Sequence, residues 1–299
     1  MEQVEAIADY GDLCGESPLW DARAEALYWT DITGRRVYRY LWSKKRHELL
    51  QSGTEVAGLA LLDSGGFVVT NSNGIWLWDG KEEWQLVADS AEGKKCVLND
   101  CVADPQGRLF TGSCFFEPND NYERGCLFRV DTDGSVHVVD EGILLSNGLG
   151  FSPDESTLYY ADSAARRIYA YDYRRSDGSV GNRRILAQVP KEEGVPDGLT
   201  VDVDGFIWCA QWFGAGVVRY RPDGTVERRV HVPALQTSSL MFGGPDLNEV
   251  FVTSAGQREA ETLAPSGYDP SSMLVGGPLF HLRTNIRGKE EYRARLAWK

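Results

Sequence analysis

One unit recurs six times along the 299 residues: a turn bearing Asp or Gly, a short apolar strand, and a second strand of alternating pattern. The first strands read EALYWTDI (25 to 32), SGGFVVTN (64 to 71), PQGRLFTG (105 to 112), DESTLYYADS (154 to 163), VDGFIWCAQW (203 to 212) and DLNEVFVTSA (246 to 255). Their partners are RVYRY (36 to 40), GIWLWD (74 to 79), CLFRVD (126 to 131), RIYAYDY (167 to 173), VVRYRPDG (217 to 224) and LFHL (279 to 282). Runs rich in β-branched and aromatic residues, bounded by Asp-Gly or Pro-Asp, are strand and turn signals. Six copies in this length give a period of about 50 residues, that of a four-stranded propeller blade. A lone sheet of that size cannot cover both its faces, so radially packed blades bury one another around a central channel. The expectation is an all-β, six-bladed propeller with four-stranded blades, forming a single domain over residues 1–299. A β-sandwich gives no reason for the repeat.

Equivalent positions in such a ring face the same mouth of the channel. Just upstream of the turns lie ESPLWD from Glu16, NDCVAD from Asn99, NGLGFS from Asn147 and DGLTVD from Asp197; the second copy has GLALLD from Gly58 and the sixth begins near Ser238 or Ser239. Asn99 and Asn147 are 48 residues apart and Asn147 and Asp197 are 50, one blade each. Glu16, Asn99, Asn147 and Asp197 should therefore converge. Four oxygen donors, two of them carboxylates, form a hard site suited to calcium, magnesium or manganese, with zinc or ferrous iron also admitted. A divalent cation also relieves the repulsion between two facing carboxylates. Taken singly, Asn or Asp before Gly is an ordinary turn residue; the shared register is what marks these four.

Other chemistries lack their residues. The net charge of −13 opposes a phosphate backbone, and the longest basic run is Lys44-Lys45-Arg46, so nucleic acid is excluded as a partner. No apolar stretch approaches the length of a spanning helix, so no membrane partner is expected. The acidic N-terminal segment has no apolar core of a signal peptide. Cysteines 14, 96, 101, 114, 126 and 209 form no C-x-x-C pair and read as free thiols of a cytoplasmic protein. The four His are scattered, and neither G-x-S-x-G, G-x-G-x-x-G nor a P-loop occurs. DTDG (131 to 134) and DVDG (202 to 205) read as strand turns, since no downstream bidentate Glu completes a calcium loop.

The strings GESPLWD (15 to 21), YWTDI (28 to 32), LND (98 to 100), DPQGRLFTGS (104 to 113), SNGLGFSPD (146 to 154), LYYADS (158 to 163), PDGLTVDVDG (196 to 205) and GGPDLNEVFVTSA (243 to 255) resemble, in order, the gluconolactonase, regucalcin and senescence-marker-protein family. The resemblance spans nearly the whole chain. It implies a six-bladed propeller with one divalent metal and hydrolysis of a sugar or related lactone. Carried over residue by residue, it makes Glu16, Asn147 and Asp197 the metal ligands, Asn99 a catalytic and substrate-binding neighbour, and Glu117 a substrate-binding residue. Asp197 becomes the general base, close to both metal and water.

One position departs from the family. Its sugar lactonases commonly carry a substrate-binding Arg two residues before the LND-type Asn, where this chain has Val97. A valine donates no hydrogen bond. The expectation is a different or less hydroxylated lactone as the small-molecule partner, met by Val97 with Phe115, Phe116, Trp212 or Phe213, unless Lys94 or Lys95 reaches in. Two rival readings keep the fold and differ in chemistry. One is an esterase or phosphotriesterase of the same propeller type, the other a calcium-binding propeller without turnover. YWTD at 28 to 31 also resembles the signature of receptor propellers, but LYYAD is its one other near match here. Oligomeric state leaves no mark in the sequence.

Overall fold

The computed structural model describes residues 3–114 and 124–298. Their strands form six four-stranded antiparallel sheets and one small hairpin, Ser90–Ala91 with Lys94–Lys95. The first blade is Gly15–Asp21, Ala26–Asp31, Arg36–Leu41 and Arg46–Ser52, paired in chain order. The inner strands of the next four blades are Gly58–Leu61, Leu98–Ala103, Ser146–Phe151 and Val195–Val201. The sixth blade is Thr237–Gly243, Glu249–Ser254, Pro278–Arg283 and, outermost, Glu5–Asp9. These sheets make a six-bladed β-propeller, and the expected strands fall in their second and third positions.

Burial follows distance from the axis. Ala26–Asp31 and Glu249–Ser254 are buried at every residue, as strands covered on both faces must be, whereas the outermost Ser179–Gln188 is largely exposed. Each of the six seams between neighbouring blades holds its own apolar cluster. Leu19, Tyr28 and Val37 of the first blade, for instance, pack on Leu59, Val69 and Trp78 of the second. Burying apolar surface at about 25 cal/mol per Å², these seams give each blade a reason to adopt its neighbours.

The ring closes by joining the chain's two ends. Glu5–Asp9 pairs antiparallel with Pro278–Arg283, Ala6 lying opposite Phe280, so the sixth sheet is stitched from both. Beyond that sheet, the C-terminal segment crosses the mouth where the inner strands end. Gly288 bridges to Asp202, Ala294 to Leu62, the Arg295 N–H donates to the Gly107 carbonyl at 2.8 Å, and Arg293 pairs with Asp21. That mouth is covered, which leaves the opposite one, where the inner strands begin, as the open end among the described residues.

Candidate functional site

The inner strands begin irregularly. In five of the six, the pairing to the second strand slips near the start: between Glu16 and Leu19, Leu98 and Cys101, Ser146 and Leu149, Pro196 and Leu199, and Thr237 and Ser239. A bulge breaks the alternation of side chains and re-aims the residue inside it. Asn99, Asn147 and Asp197 each sit within such a slip, and Glu16, opposite Thr30, is the last paired residue before its own. The second blade keeps its register and has Gly58 at the corresponding place.

The irregularity has a local cost. Ser17 adopts φ 46°, the left-handed region, and its N–H donates to Glu16 Oε2 at 2.9 Å. Asn147 and Asp197 are followed by glycines because neighbouring inner strands come too close for a side chain. A Cβ on Gly148 would lie 2.1 Å from the Leu199 nitrogen, and one on Gly198 would lie 2.0 Å from Ser239 Oγ. Buried acids at the ends of second strands hold the segments leading in. Asp31, of the YWTD string, accepts from the N–H groups of Leu13 and Cys14, and Asp162, of LYYAD, from those of Leu144 and Leu145, all between 2.9 and 3.2 Å. Both acids therefore steady a residue two positions further along the chain, Glu16 and Asn147 respectively.

All four converging residues line one cavity of about 220 Å³ at the open mouth. Its walls also carry Val97, Leu98, Leu145, Val195 and Trp212. Glu16, Asn147 and Asp197 are 6, 7 and 3 % exposed. Asn147 Nδ2 donates to Ser163 Oγ at 3.2 Å, while its Oδ1 and Asp197 Oδ1 are buried and accept no hydrogen bond. Asn99 is half-buried, and its Nδ2 donates to the Ser146 carbonyl at 2.9 Å.

Burial also sets the protonation of the two carboxyl groups. Glu16 is pushed up to about 8, first by loss of water and then by repulsion from Asp100, with the Ser17 N–H acting the other way. Asp197 is driven well above the carboxylate range by burial and by the charges of Glu16 and Asp100. Asp100, on the inner side of the channel, is itself pushed up to about 7, chiefly by burial. Without a counter-charge Glu16 and Asp197 hold protons at neutral pH. Among the described residues, no three His, Cys, Asp or Glu side chains are grouped at metal-holding spacing; the set expected from the sequence has two carboxylates, its third donor being the Asn147 amide.

Other expectations separate here. Trp212 lines the cavity, whereas Phe213 packs away from it against Tyr268. Lys94 and Lys95 do not reach in: they form the exposed hairpin, where Lys94 Nζ lies 3.6 Å from Glu141. Their two-residue strand turns them outward. Glu117, Phe115 and Phe116 lie outside the described residues. DTDG and DVDG form strand turns, with the Gly134 N–H donating to the Asp131 carbonyl and the Gly205 N–H to that of Asp202. The six cysteines are free, and Cys14 and Cys114 line the cavity.

Sequence reasoning missed the rim acids Glu55 and Glu259. Glu55 precedes the second blade, and its carboxylate accepts from the Ser72 N–H and hydroxyl, both at 2.9 Å. Glu259 lies on the long connection inside the sixth blade and accepts from Thr33 Oγ1 at 3.4 Å. That connection is anchored by Arg166, which donates to the carbonyls of Leu263 and Gly194. Neither glutamate occupies a repeated position, so no periodic signal marked them.

Comparison with known proteins agrees with this architecture. Residues 14–256 match the model of the SMP-30/Gluconolactonase/LRE-like region. Pentonolactonase XacC of Haloferax volcanii is 35 % identical over 295 residues, covering 97 % of this chain and 98 % of its own. A 6-deoxy-6-sulfogluconolactonase of Pseudomonas putida is 32 % identical over 294 residues, covering 97 % and 98 %. Among solved structures, a luciferin-regenerating enzyme superposes with a TM-score of 0.87 at 29 % identity, over 99 % of this chain and 100 % of that one. The chain belongs to the SMP-30/gluconolactonase/LRE-like family.

Proposed function

We propose that this protein is a divalent-cation-dependent lactonase that opens a small lactone to its hydroxy acid. The observation carrying this reading is the pair of orphaned oxygens, Asn147 Oδ1 and Asp197 Oδ1, buried beside the Glu16 carboxyl in one cavity. A buried acceptor without a partner costs about 1 to 3 kcal/mol, and two carboxyl groups held above their ordinary range by burial and by the repulsion of neighbouring carboxylates add to that strain. A hard cation relieves both at once. The donor set therefore fits the ion, with Glu16, Asn147 and Asp197 holding it; calcium, magnesium, manganese, zinc and ferrous iron all accept such oxygens. The relatives named as lactonases support the reaction class.

When bound, the cation supplies a Lewis acid for the lactone carbonyl. The chain's own residues do the rest. Asp197 takes a proton from the attacking water, whose oxygen bonds to the carbonyl carbon. Its burial raises its proton affinity, which offsets the weakening of any carboxylate that also faces a cation. As the tetrahedral adduct collapses, the bond from that carbon to the ring oxygen breaks and the proton passes to the ring oxygen, giving hydroxyl and carboxylic acid. Asn99, its amide fixed by the Ser146 carbonyl, orients the water or the ring oxygen. Val97, Leu98, Leu145 and Trp212 form the apolar wall, which suits a ring with one poorly hydroxylated face.

The test is acid release from a panel of pentono-, hexono- and apolar lactones, measured in chelator and after return of each divalent ion. Turnover that requires an ion supports the proposal; full turnover in chelator contradicts it.

A further inference from the structure

The cavity's charge is one-sided. Glu16 and Asp197 lie at its floor and Glu55 and Glu259 at its rim, while no Lys or Arg among the described residues lines it. The segment 115–123 contains neither residue type, so its sequence supplies no cation. Arg35 belongs to the neighbouring groove that shares Glu55 with the cavity. Most enzymes that take an anionic substrate present Arg or Lys to it, since a carboxylate, sulfonate or phosphate is costly to desolvate unpaired.

A divalent cation at the orphaned Asn147 and Asp197 oxygens balances Glu16 and Asp197 and nothing more. Glu55 and Glu259 are left over. Their side chains are held in place, Glu55 by two hydrogen bonds from Ser72 and Glu259 by one from Thr33. Carboxylates so placed accept hydrogen bonds from hydroxyl groups and repel a second anion at the same mouth.

We infer that the cavity selects uncharged lactones, and that Glu55 and Glu259 are specificity-determining residues: they bind substrate hydroxyls and exclude lactones that carry a carboxylate, sulfonate or phosphate. This rests on the lactonase reading above and deepens it. It also separates the chain from its sulfogluconolactonase relative, whose name implies an anionic substrate, and aligns it with the pentonolactonase. The same charges favour departure of the hydroxy acid, an anion at neutral pH.

The experiment compares kcat/KM for a neutral hexonolactone with that for lactones of the same carbon skeleton bearing a terminal carboxylate or sulfonate, at low and high salt. The neutral lactone is expected to be favoured by at least about 100-fold at low salt, with the ratio shrinking as salt screens the rim. Glu55→Gln and Glu259→Gln, which keep shape and remove charge, should each lower that ratio by about tenfold. A ratio near one, a preference for the anionic lactone, or a ratio unmoved by both substitutions overturns the inference. If a substitution impairs folding, the salt dependence of the wild-type ratio decides. Failure to open any lactone with any ion instead refutes the lactonase reading itself, so the two failures are distinct.

Discussion

Removing the cation should make this protein's stability fall as pH rises, in a way traceable to Glu16. In the folded chain Glu16 keeps its proton up to about pH 8, against an ordinary 4.5. Between those values the folded state binds more protons than the unfolded state, so stability declines with pH; below 4.5 there is no penalty, and above 8 it is complete. Each pH unit in the window costs about 1.36 kcal/mol, which amounts to roughly 4 kcal/mol between pH 5 and 8. Domains are stable by about 5 to 15 kcal/mol in total, so the effect is large. Asp197, raised for the same reasons, adds to it with the same sign.

The assay is urea unfolding in chelator from pH 5 to 9, on the wild type and Glu16→Gln. The glutamine preserves an acceptor for the Ser17 N–H while removing the charge, and it relieves Asp197 of its strongest neighbouring repulsion. The variant should gain on the wild type as pH rises, by about 4 kcal/mol between pH 5 and 8 from Glu16 itself, with titrations remote from the cavity cancelling in the difference and the relief of Asp197 adding to the gain. A cation present at 100 times its dissociation constant should return about 2.7 kcal/mol to the wild type. Parallel pH profiles for the two proteins would refute the claim that burial and mutual repulsion hold these acids protonated.

Two substitutions probe how the site is built. Gly198→Ala places a Cβ 2.0 Å from Ser239 Oγ and 2.7 Å from Ser239 Cα; it should lower the urea-derived stability by about 2 to 3 kcal/mol, and a neutral result would mean the inner strands are free to spread. Asp31→Ala strips the Leu13, Cys14 and Gly34 N–H groups and Arg36 of their acceptor; it should cost about 3 kcal/mol and weaken cation binding by calorimetry, because the segment leading to Glu16 loses its anchor.

Much of the architecture was legible because a propeller repeats. The second strands, such as Ala26–Asp31 and Thr157–Asp162, are apolar on both faces and turn-bounded, and one register brought Glu16, Asn99, Asn147 and Asp197 together before any geometry was known. What broke the repeat stayed hidden. Glu5–Asp9 reads as a short acidic stretch, and its role as the outer strand of the sixth sheet depends on a partner more than 260 residues away. Glu55 and Glu259 reach the cavity from connections whose lengths and sequences differ from blade to blade. The bulges could not be read either, since a slip such as Ser146 to Leu149 depends on how one strand pairs with the next. Asp100 carries no repeat signal of its own, because its neighbour Asn99 holds the repeated position, although its carboxyl adds to the repulsion felt by both Glu16 and Asp197.

Acid release from a neutral aldonolactone, followed side by side on the wild type and Asp197→Asn through chelation and return of the ion, is the most direct measurement. The wild type should fall silent in chelator and recover with the ion, while the variant, still folded by circular dichroism, should lose about 100-fold or more in kcat. Wild-type turnover undiminished in chelator, or an Asp197→Asn variant as active as the wild type, would contradict the assignment of the channel mouth as a cation-assisted hydrolytic site.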